Sequence, residues 1–159
     1  MDDVIALLED HIDIAAEPAR VWELVGDPTR MSRWSPQVTS TRLRSGFDSV
    51  GVGTQFTNRN VHGELEWTTH AEVTSYAPGR ELGFRVEENW ALWSFHLEPT
   101  DSGTRLTQRR ELPEGISPLS SELTDAAMGG QAAFTASLRA GMRETLEAIR
   151  AEAEAPQPS

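Results

Sequence analysis

Residues 11–36, HIDIAAEPARVWELVGDPTRMSRWSP, contain a strand signal followed at once by a helix start. Ile12 and Ile14 alternate with polar residues, and this two-residue period is typical of a half-buried strand. Pro18 suits the first turn of a helix, because the N–H that proline lacks has no partner there, and Gly26 is expected to end that helix. The stretch therefore predicts a first strand and, from Pro18, a first helix.

A second helix start follows in the same stretch. The Asp27 carboxylate can accept hydrogen bonds from free N–H groups at a helix start, and Pro28 suits the first turn. Pro36 disfavours helical geometry at Ser35. We therefore predict a second helix of only one or two turns, ending close to Trp34.

Several segments of strand length follow up to residue 112, and each has one apolar and one polar face. The clearest spans residues 64–75, where a two-residue period separates apolar from charged side chains. Its apolar face holds Leu65, Trp67, Thr69, Ala71 and Val73. Because no segment is apolar on both faces, the pattern favours an antiparallel meander over a buried parallel sheet.

From about residue 119 to residue 153 the period becomes that of an amphipathic helix. Its apolar stripe consists of Phe134, Leu138, Met142, Leu146 and Ile149. Gly129 and Gly130 interrupt this helix at a cost of about 1 kcal/mol each relative to alanine, so we expect a kink or a close backbone approach there. Residues 154–159 are expected to form a disordered tail after a single domain of residues 1–153.

Together these elements predict an α+β protein. Its curved antiparallel sheet wraps around a long C-terminal helix, and two short helices follow the first strand. The sheet has one apolar face, and only the terminal helix is long enough to cover it.

Composition restricts the possible partners. The 159 residues include 25 Asp and Glu against 14 Lys and Arg, a formal net charge of −11, which would repel phosphate backbones and anionic lipid surfaces. The absence of cysteine excludes disulfides, thiolate catalysis and cysteine metal sites. Neither a cleavable leader nor an apolar run of bilayer length is evident. We therefore expect a cytoplasmic protein with no nucleic-acid partner and no membrane insertion.

The chain resembles the START-like helix-grip (SRPBCC) superfamily in the order of these elements and in five segments: IAAEPARVWELVGDPTRMSRWSP, VGVGTQF, WTTHAEVTSYAPGRELGFRV, ALWSFHLEPTDSGTRLTQ and the terminal helix. Within it, the chain is most similar to bacterial polyketide cyclase/dehydrase and lipid-transport-like proteins, over about residues 10–149. The resemblance implies a deep cavity between the sheet and the terminal helix that takes apolar or aromatic molecules. Some members use it for binding or transport and others for cyclisation and dehydration, and no shared catalytic signature can be placed on this chain.

We expect the ligand-binding residues on the inward faces of these elements. They are Trp34, Phe56, Asn58, Trp67, Thr69, Phe84, Trp93, Phe95, Gln108, Arg110, Phe134 and Leu138. The aromatic members would give a cavity with much apolar area and few polar atoms, as small-molecule sites usually have, although core packing explains them nearly as well. Trp34 would line the mouth of the cavity, and the alternative is a place in the core.

The segment TRLTQRREL places an amide and a guanidinium on the same face as two leucines. A buried charge is costly unless it is paired, so an inward-facing Arg110 must meet a carboxylate or an anionic group of a ligand. The alternative is that Arg110 lies near the strand end and reaches water. Asn58 and Asn60, in phase with Phe56, are similar candidates for polar anchors.

Residues 90–97 leave the strand register open, because Trp90, Leu92 and His96 compete with the alternate set of residues for the inner face. We assign the inner face to Ala91, Trp93, Phe95 and Leu97. His96 then faces away from the cavity, whereas a shift of one residue would turn it inward, where it could act as a general base. His96 is therefore the one catalytic candidate.

No metal site or cofactor is expected from the sequence. The four histidines lie in separate segments without the close spacing of metal ligands, and the carboxylates fall on polar faces. His70 lies on the charged face of its strand and is expected to be solvated. No helix follows VGVG, so a phosphate-binding loop is not supported.

We therefore predict a protein that binds a small hydrophobic ligand, aromatic, polyketide-like or lipid-like, as a monomer or a homodimer. The first alternative is a cyclase or dehydratase acting in the same cavity, which requires a positioned proton donor or acceptor near a polyketide-like carbonyl chain. The second is a protein-interaction module that uses the outer surface, although no long apolar run supports it.

Overall fold

The computed structural model describes residues 7–113 and 131–156. Its strands and helices follow the predicted order. They are β1 (Leu7–Ile14), α1 (Pro18–Val25), a 3-10 helix (Pro28–Arg33), β2 (Val38–Leu43), β3 (Gln55–His62), β4 (Leu65–Ala77), β5 (Glu81–Val86), β6 (Leu92–Thr100), β7 (Gly103–Glu111) and α2 (Gln131–Glu154). The predicted helix start near residue 119, the kink expected at Gly129 and Gly130, and the end of the predicted tail lie outside the described residues. Neither helix in the described segments has the length and apolar character that a bilayer span requires.

The strands form one antiparallel sheet in the order β1-β7-β6-β5-β4-β3-β2. Strands β2 to β7 are consecutive neighbours, and β1 pairs with β7. The register shifts between Val38 and Ser40 in β2 and between Val73 and Ser75 in β4, and such irregularities bend and twist a strand. The predicted antiparallel meander is confirmed.

The two short helices begin and end where the sequence predicts. At the end of α1 the Gly26 N–H donates to the Trp22 carbonyl at 2.9 Å. The Asp27 carboxylate accepts a hydrogen bond of 2.9 Å from the Thr29 N–H at the start of the next helix, which is a 3-10 helix. A side-chain cap followed directly by Pro28 explains why so short a helix forms at a defined place.

The terminal helix covers the apolar face of the sheet with the predicted stripe. Leu146 and Ile149 are fully buried, in one cluster with side chains of α1, β1, β6 and β7. Leu138 and Met142 pack against Leu8 of β1. The predicted α+β helix-grip architecture, a curved antiparallel sheet around a C-terminal helix, is therefore confirmed.

The register of β6 follows the predicted assignment. Ala91, Phe95 and Leu97 are buried. Trp90, just before the strand, has a φ of 64°, a left-handed conformation that residues other than glycine rarely adopt. Hydrogen bonds of 2.9 Å run from the Val86 N–H to the Ala91 carbonyl and from the Trp90 N–H to the Val86 carbonyl. This turn sets which residues of β6 face inward.

Candidate ligand cavity

A cavity of about 110 Å³ lies between the inner face of the sheet and α2. Residues of β2 to β7 line it, together with residues of α2, of the 3-10 helix and of two loops. The predicted ligand-binding residues that contribute to the lining are Asn58, Trp67, Thr69, Phe84, Trp93, Phe95, Gln108, Arg110, Phe134 and Leu138. Successive side chains of a strand point to opposite faces, so the inward set of each strand meets at this one cavity.

Aromatic rings form much of the lining. Trp67, Phe84 and Trp93 come from three neighbouring strands, and Phe134 comes from α2. Phe56 is fully buried in the core and does not contribute to the lining. Its ring meets the Phe84 ring edge to face, with centroids 5.2 Å apart, so Phe56 supports the lining from behind.

Trp34 lies in the core, and not at the cavity mouth where we expected it. It is 6% exposed and belongs to the same cluster as Val25 of α1 and Ile149 of α2. The Trp34 N–H donates to the Met31 carbonyl at 3.2 Å, and the Arg33 guanidinium lies 5.6 Å from the indole centroid. The tight last turn of the 3-10 helix directs the indole into the core shared by the two α-helices.

Arg110 is buried and lines the cavity, so the alternative that it reaches water at the strand end is wrong. The residue is only 6% exposed. Burial lowers the pKa of Arg110 from its ordinary value to about 10, because the charged form loses its hydration. The guanidinium therefore remains protonated at neutral pH. Within the described residues, no carboxylate, carbonyl or other acceptor is bonded to it.

Gln108 lies two residues earlier on the same face of β7. It is 8% exposed, and its Oε1 is buried without a hydrogen-bond donor in the described structure. On the β6 side, Gln108 pairs with Phe95 and Arg110 pairs with Trp93, and on the β1 side they pair with Asp10 and Leu8. The β7 side of the cavity thus presents an amide and a cation against aromatic neighbours.

The amides on the opposite side of the cavity have partners in the sheet. The Thr41 hydroxyl donates to Asn58 Oδ1 at 2.7 Å. Asn60 Nδ2 donates to the Thr69 hydroxyl at 3.0 Å and, more weakly, to the Trp67 carbonyl at 3.4 Å. These bonds hold the β3 and β4 side chains in place, whereas Gln108 and Arg110 on β7 have no such bonds to described residues.

His96 points away from the cavity, as the assigned register requires. Its Nε2 lies 2.9 Å from the Ser94 hydroxyl, and its Nδ1 lies 3.0 Å from a Glu81 carboxylate oxygen. The His96 and Glu81 side chains lie on the face of the sheet opposite to Phe95 and Leu97, whereas Ser94, which contacts His96, is among the residues that line the cavity. Among the described residues that line the cavity there is no histidine, aspartate or glutamate.

His70 has charged neighbours that the sequence spacing did not reveal. The backbone N–H of His70 donates to Glu88 Oε1 at 2.7 Å, and the ring Nδ1 lies 2.6 Å from Glu88 Oε2. Glu87 is close enough that the three side chains place potential metal-ligating atoms within 4.8 Å of one another. Both oxygens of the Glu88 carboxylate contact His70. These contacts connect β4 to the turn after β5, and this structural role is enough to explain why the three side chains lie together.

Four further lining residues come from the 3-10 helix and from irregular segments, and they were not predicted. Met31 belongs to the 3-10 helix, Ser35 and Gln37 lie between that helix and β2, and Asn89 lies in the turn between β5 and β6. The Asn89 side chain accepts a hydrogen bond of 2.9 Å from the Ala91 N–H. Periodicity gives no signal in such segments, although turn-favouring Asn89 marks the turn itself.

Comparison with known proteins identifies the family. A family model described as polyketide cyclase / dehydrase and lipid transport matches residues 6–154. A polyketide-cyclase-like protein from Corynebacterium glutamicum, solved by NMR, is 32% identical, with 91% of this chain and 89% of that chain covered and a TM-score of 0.59. Curated proteins give no significant match.

More distant solved structures share the fold alone. The di-domain ARO/CYC StfQ from the steffimycin biosynthetic pathway is 18% identical, with a TM-score of 0.73; the alignment covers 94% of this chain and 50% of StfQ. An AHSA1-like protein from Aeromonas hydrophila is 16% identical, with 96% and 99% covered and a TM-score of 0.64. The chain belongs to the polyketide cyclase/dehydrase and lipid-transport family of START-like proteins.

Proposed function

We propose that the protein binds a small hydrophobic molecule, aromatic, polyketide-like or lipid-like, in the cavity between the sheet and α2. The observation that carries this proposal is the aromatic lining formed by Trp67, Phe84, Trp93 and Phe134. Each Å² of apolar surface that a ligand removes from water contributes about 25 cal/mol to the free energy of binding, so the cavity favours an apolar ligand. Storage or carriage of such a molecule requires no further chemistry.

The absence of acid–base groups from the described lining supports binding over catalysis. General acid–base catalysis requires a carboxyl, imidazole or similar group within hydrogen-bond reach of the substrate. His96, the one catalytic candidate from the sequence, faces the other side of the sheet. Its removal is therefore expected to leave ligand affinity unchanged.

One observation favours a second candidate, a cyclase or dehydratase acting in the same cavity. A buried cation such as Arg110 can stabilise the oxygen anion that forms when a carbonyl chain is enolised. Incubation with a poly-β-keto thioester, followed by mass spectrometry of the products, tests this candidate. A bound chain that is recovered unchanged would reject it.

Binding can be tested with the neutral fluorescent probe N-phenyl-1-naphthylamine. Its fluorescence should rise on binding, and Trp67→Ala should weaken its affinity at least fivefold because part of the aromatic lining is lost. Trp22→Ala is the matched control, since Trp22 is partly buried outside the cavity. Equal affinity of all three proteins would place the probe elsewhere and contradict the proposal. Native mass spectrometry of gently purified protein would then identify any molecule carried through purification.

A further inference from the structure

The β7 side of the cavity holds two buried polar side chains without partners. Arg110 and Gln108 are 6% and 8% exposed, so both are more than nine-tenths buried. Within residues 7–113 and 131–156, no acceptor is bonded to the Arg110 guanidinium, and Gln108 Oε1 has no donor. Their neighbours on β6, Trp93 and Phe95, are aromatic. On β1, Leu8 lies opposite Arg110, and Asp10 lies opposite Gln108 with its carboxylate on the His11 N–H at 2.8 Å and 3.5 Å from Arg143. The described part of the protein therefore supplies no hydrogen-bond partner for the Arg110 guanidinium or for Gln108 Oε1.

The other inward side chains near the start of β7 have partners within the protein. The Thr104 hydroxyl donates to the Ala16 carbonyl at 2.8 Å, and Leu106 is fully buried in the core. Among the described residues of this inner face, only Gln108 and Arg110, which adjoin the cavity, carry polar groups without a partner. A buried cation without a partner is costly, since it loses hydration and gains no compensating interaction. The contrast along one strand points to a partner group supplied by a ligand.

The chemistry of the two side chains defines that group. A guanidinium has donors only, in a planar fork that fits the two oxygens of a carboxylate. An amide offers one acceptor beside one donor group, whichever way it is turned. Residues two apart on a strand are about 7 Å apart and point the same way. The complementary ligand therefore has a carboxylate and, a few bonds away, a hydroxyl that can donate to the amide oxygen.

We propose that the cavity binds an apolar carboxylic acid with a hydroxyl group near its carboxylate, the carboxylate on Arg110 and the hydroxyl on Gln108. This inference rests on the proposed binding function and specifies its ligand class. The apolar part of the acid lies along the aromatic lining. The acid is assigned to the β7 side because Asn58 and Asn60, on the other side, already have side-chain partners in the sheet.

The net charge makes this assignment more specific. A protein of net charge −11 repels anions at long range, so an acid binds well only where a local cation outweighs that repulsion. Salt screens the long-range repulsion strongly and the buried pair weakly. Affinity for the acid should therefore not fall when sodium chloride is raised from about 50 mM to about 500 mM, in contrast to an anion held at an exposed cationic site.

Three related compounds test the ligand class by isothermal titration calorimetry: 3-hydroxy-3-phenylpropanoate, 3-phenylpropanoate and 3-phenylpropanamide. The acid without the hydroxyl should bind at least tenfold tighter than the amide, and the hydroxyl should add about a two- to tenfold gain. In Arg110→Met the acid and the amide should bind within about twofold of each other. In Gln108→Leu the gain from the hydroxyl should disappear while the preference for acid over amide remains.

Arg105→Met is the matched control, because Arg105 lies on the outer face of the same strand and pairs with Asp13 at 3.1 Å. It should retain the affinities of the wild type. Arg110→Lys provides a second variant that keeps the charge, and it should retain a reduced preference for the acid. The neutral probe N-phenyl-1-naphthylamine is titrated into every variant to report on the cavity itself.

The outcomes separate this inference from the function on which it rests. Binding of the neutral probe with equal affinities for acid and amide in the wild type would overturn the acid assignment and leave hydrophobic binding in place. If both Arg110→Met and Arg110→Lys prefer the acid as strongly as the wild type does, the carboxylate binds to a cation other than Arg110. Failure of the acids and of the neutral probe to bind would overturn both proposals.

Discussion

Replacing Arg110 with methionine is expected to stabilise the ligand-free protein. Burial lowers the Arg110 pKa well below its ordinary value, to about 10. One pKa unit corresponds to about 1.4 kcal/mol, so keeping the charge buried costs on the order of 3 kcal/mol. Methionine fills a similar length without a charge. Allowing for imperfect packing, we expect the free energy of unfolding to rise by about 1–3 kcal/mol.

Urea unfolding at neutral pH, followed by far-UV circular dichroism, measures this change. For a domain of this size each kcal/mol also raises Tm by about 2–4 °C. Arg105→Met on the outer face of β7 provides the control for removing one positive charge, and it should change stability little. An Arg110→Met variant that is less stable than the wild type by more than about 1 kcal/mol would refute the reasoning, because the guanidinium would then have a stabilising partner.

The pH dependence of this difference has a defined sign. Below about pH 10 Arg110 is charged in both the folded and the unfolded protein, so its full cost is present. The folded form has the lower pKa and releases its proton first as the pH rises, so the cost fades as the pH rises above about 10. The stability gap between Arg110→Met and the wild type should thus be constant at neutral pH and shrink at about pH 11. A gap that widens there would contradict burial as the cause of the shift.

Three further predictions concern the core, a turn and the outer face. Leu146→Ala should lower the free energy of unfolding by about 2–5 kcal/mol in chemical denaturation, because Leu146 is fully buried and leaves a cavity. Gly103→Ala should cost about 1–3 kcal/mol in the same assay, since Gly103 has a φ of 151° and an added Cβ would overlap the Ile14 carbonyl oxygen; an unchanged midpoint would show that the turn can relax. His96→Gln should leave probe affinity within about twofold, and a larger loss in a fluorescence titration would place His96 in contact with the ligand path.

The sequence predicted the elements well because their signals are local. The alternation around Thr69 and Ala71 assigns the faces of β4, and both residues are buried as that alternation requires. The same reasoning placed Gln108 and Arg110 on one inward face. Whether Arg110 has a partner could not be read from the strand, because that depends on residues from other elements that face it.

The positions of other residues depended on geometry that periodicity does not encode. The direction of the Trp34 indole follows from the conformation at the end of the 3-10 helix, with φ −127° and ψ −23°. The contact of His70 with Glu88 joins residues from β4 and from the turn after β5, 18 positions apart. Such relations arise only when strands are paired in a particular register.

The separate roles of side chain and backbone on β7 have an evolutionary consequence. The backbone of β7 pairs with β1 and β6 along its length, whereas the side chains of Gln108 and Arg110 are bonded to no other described residue. Under the binding function proposed above, mutations at these two positions alter what the cavity accepts without breaking a bond on which the sheet depends. Selection can then diversify ligand choice while the architecture is inherited, in keeping with structures that are only 16% to 18% identical and retain the same fold.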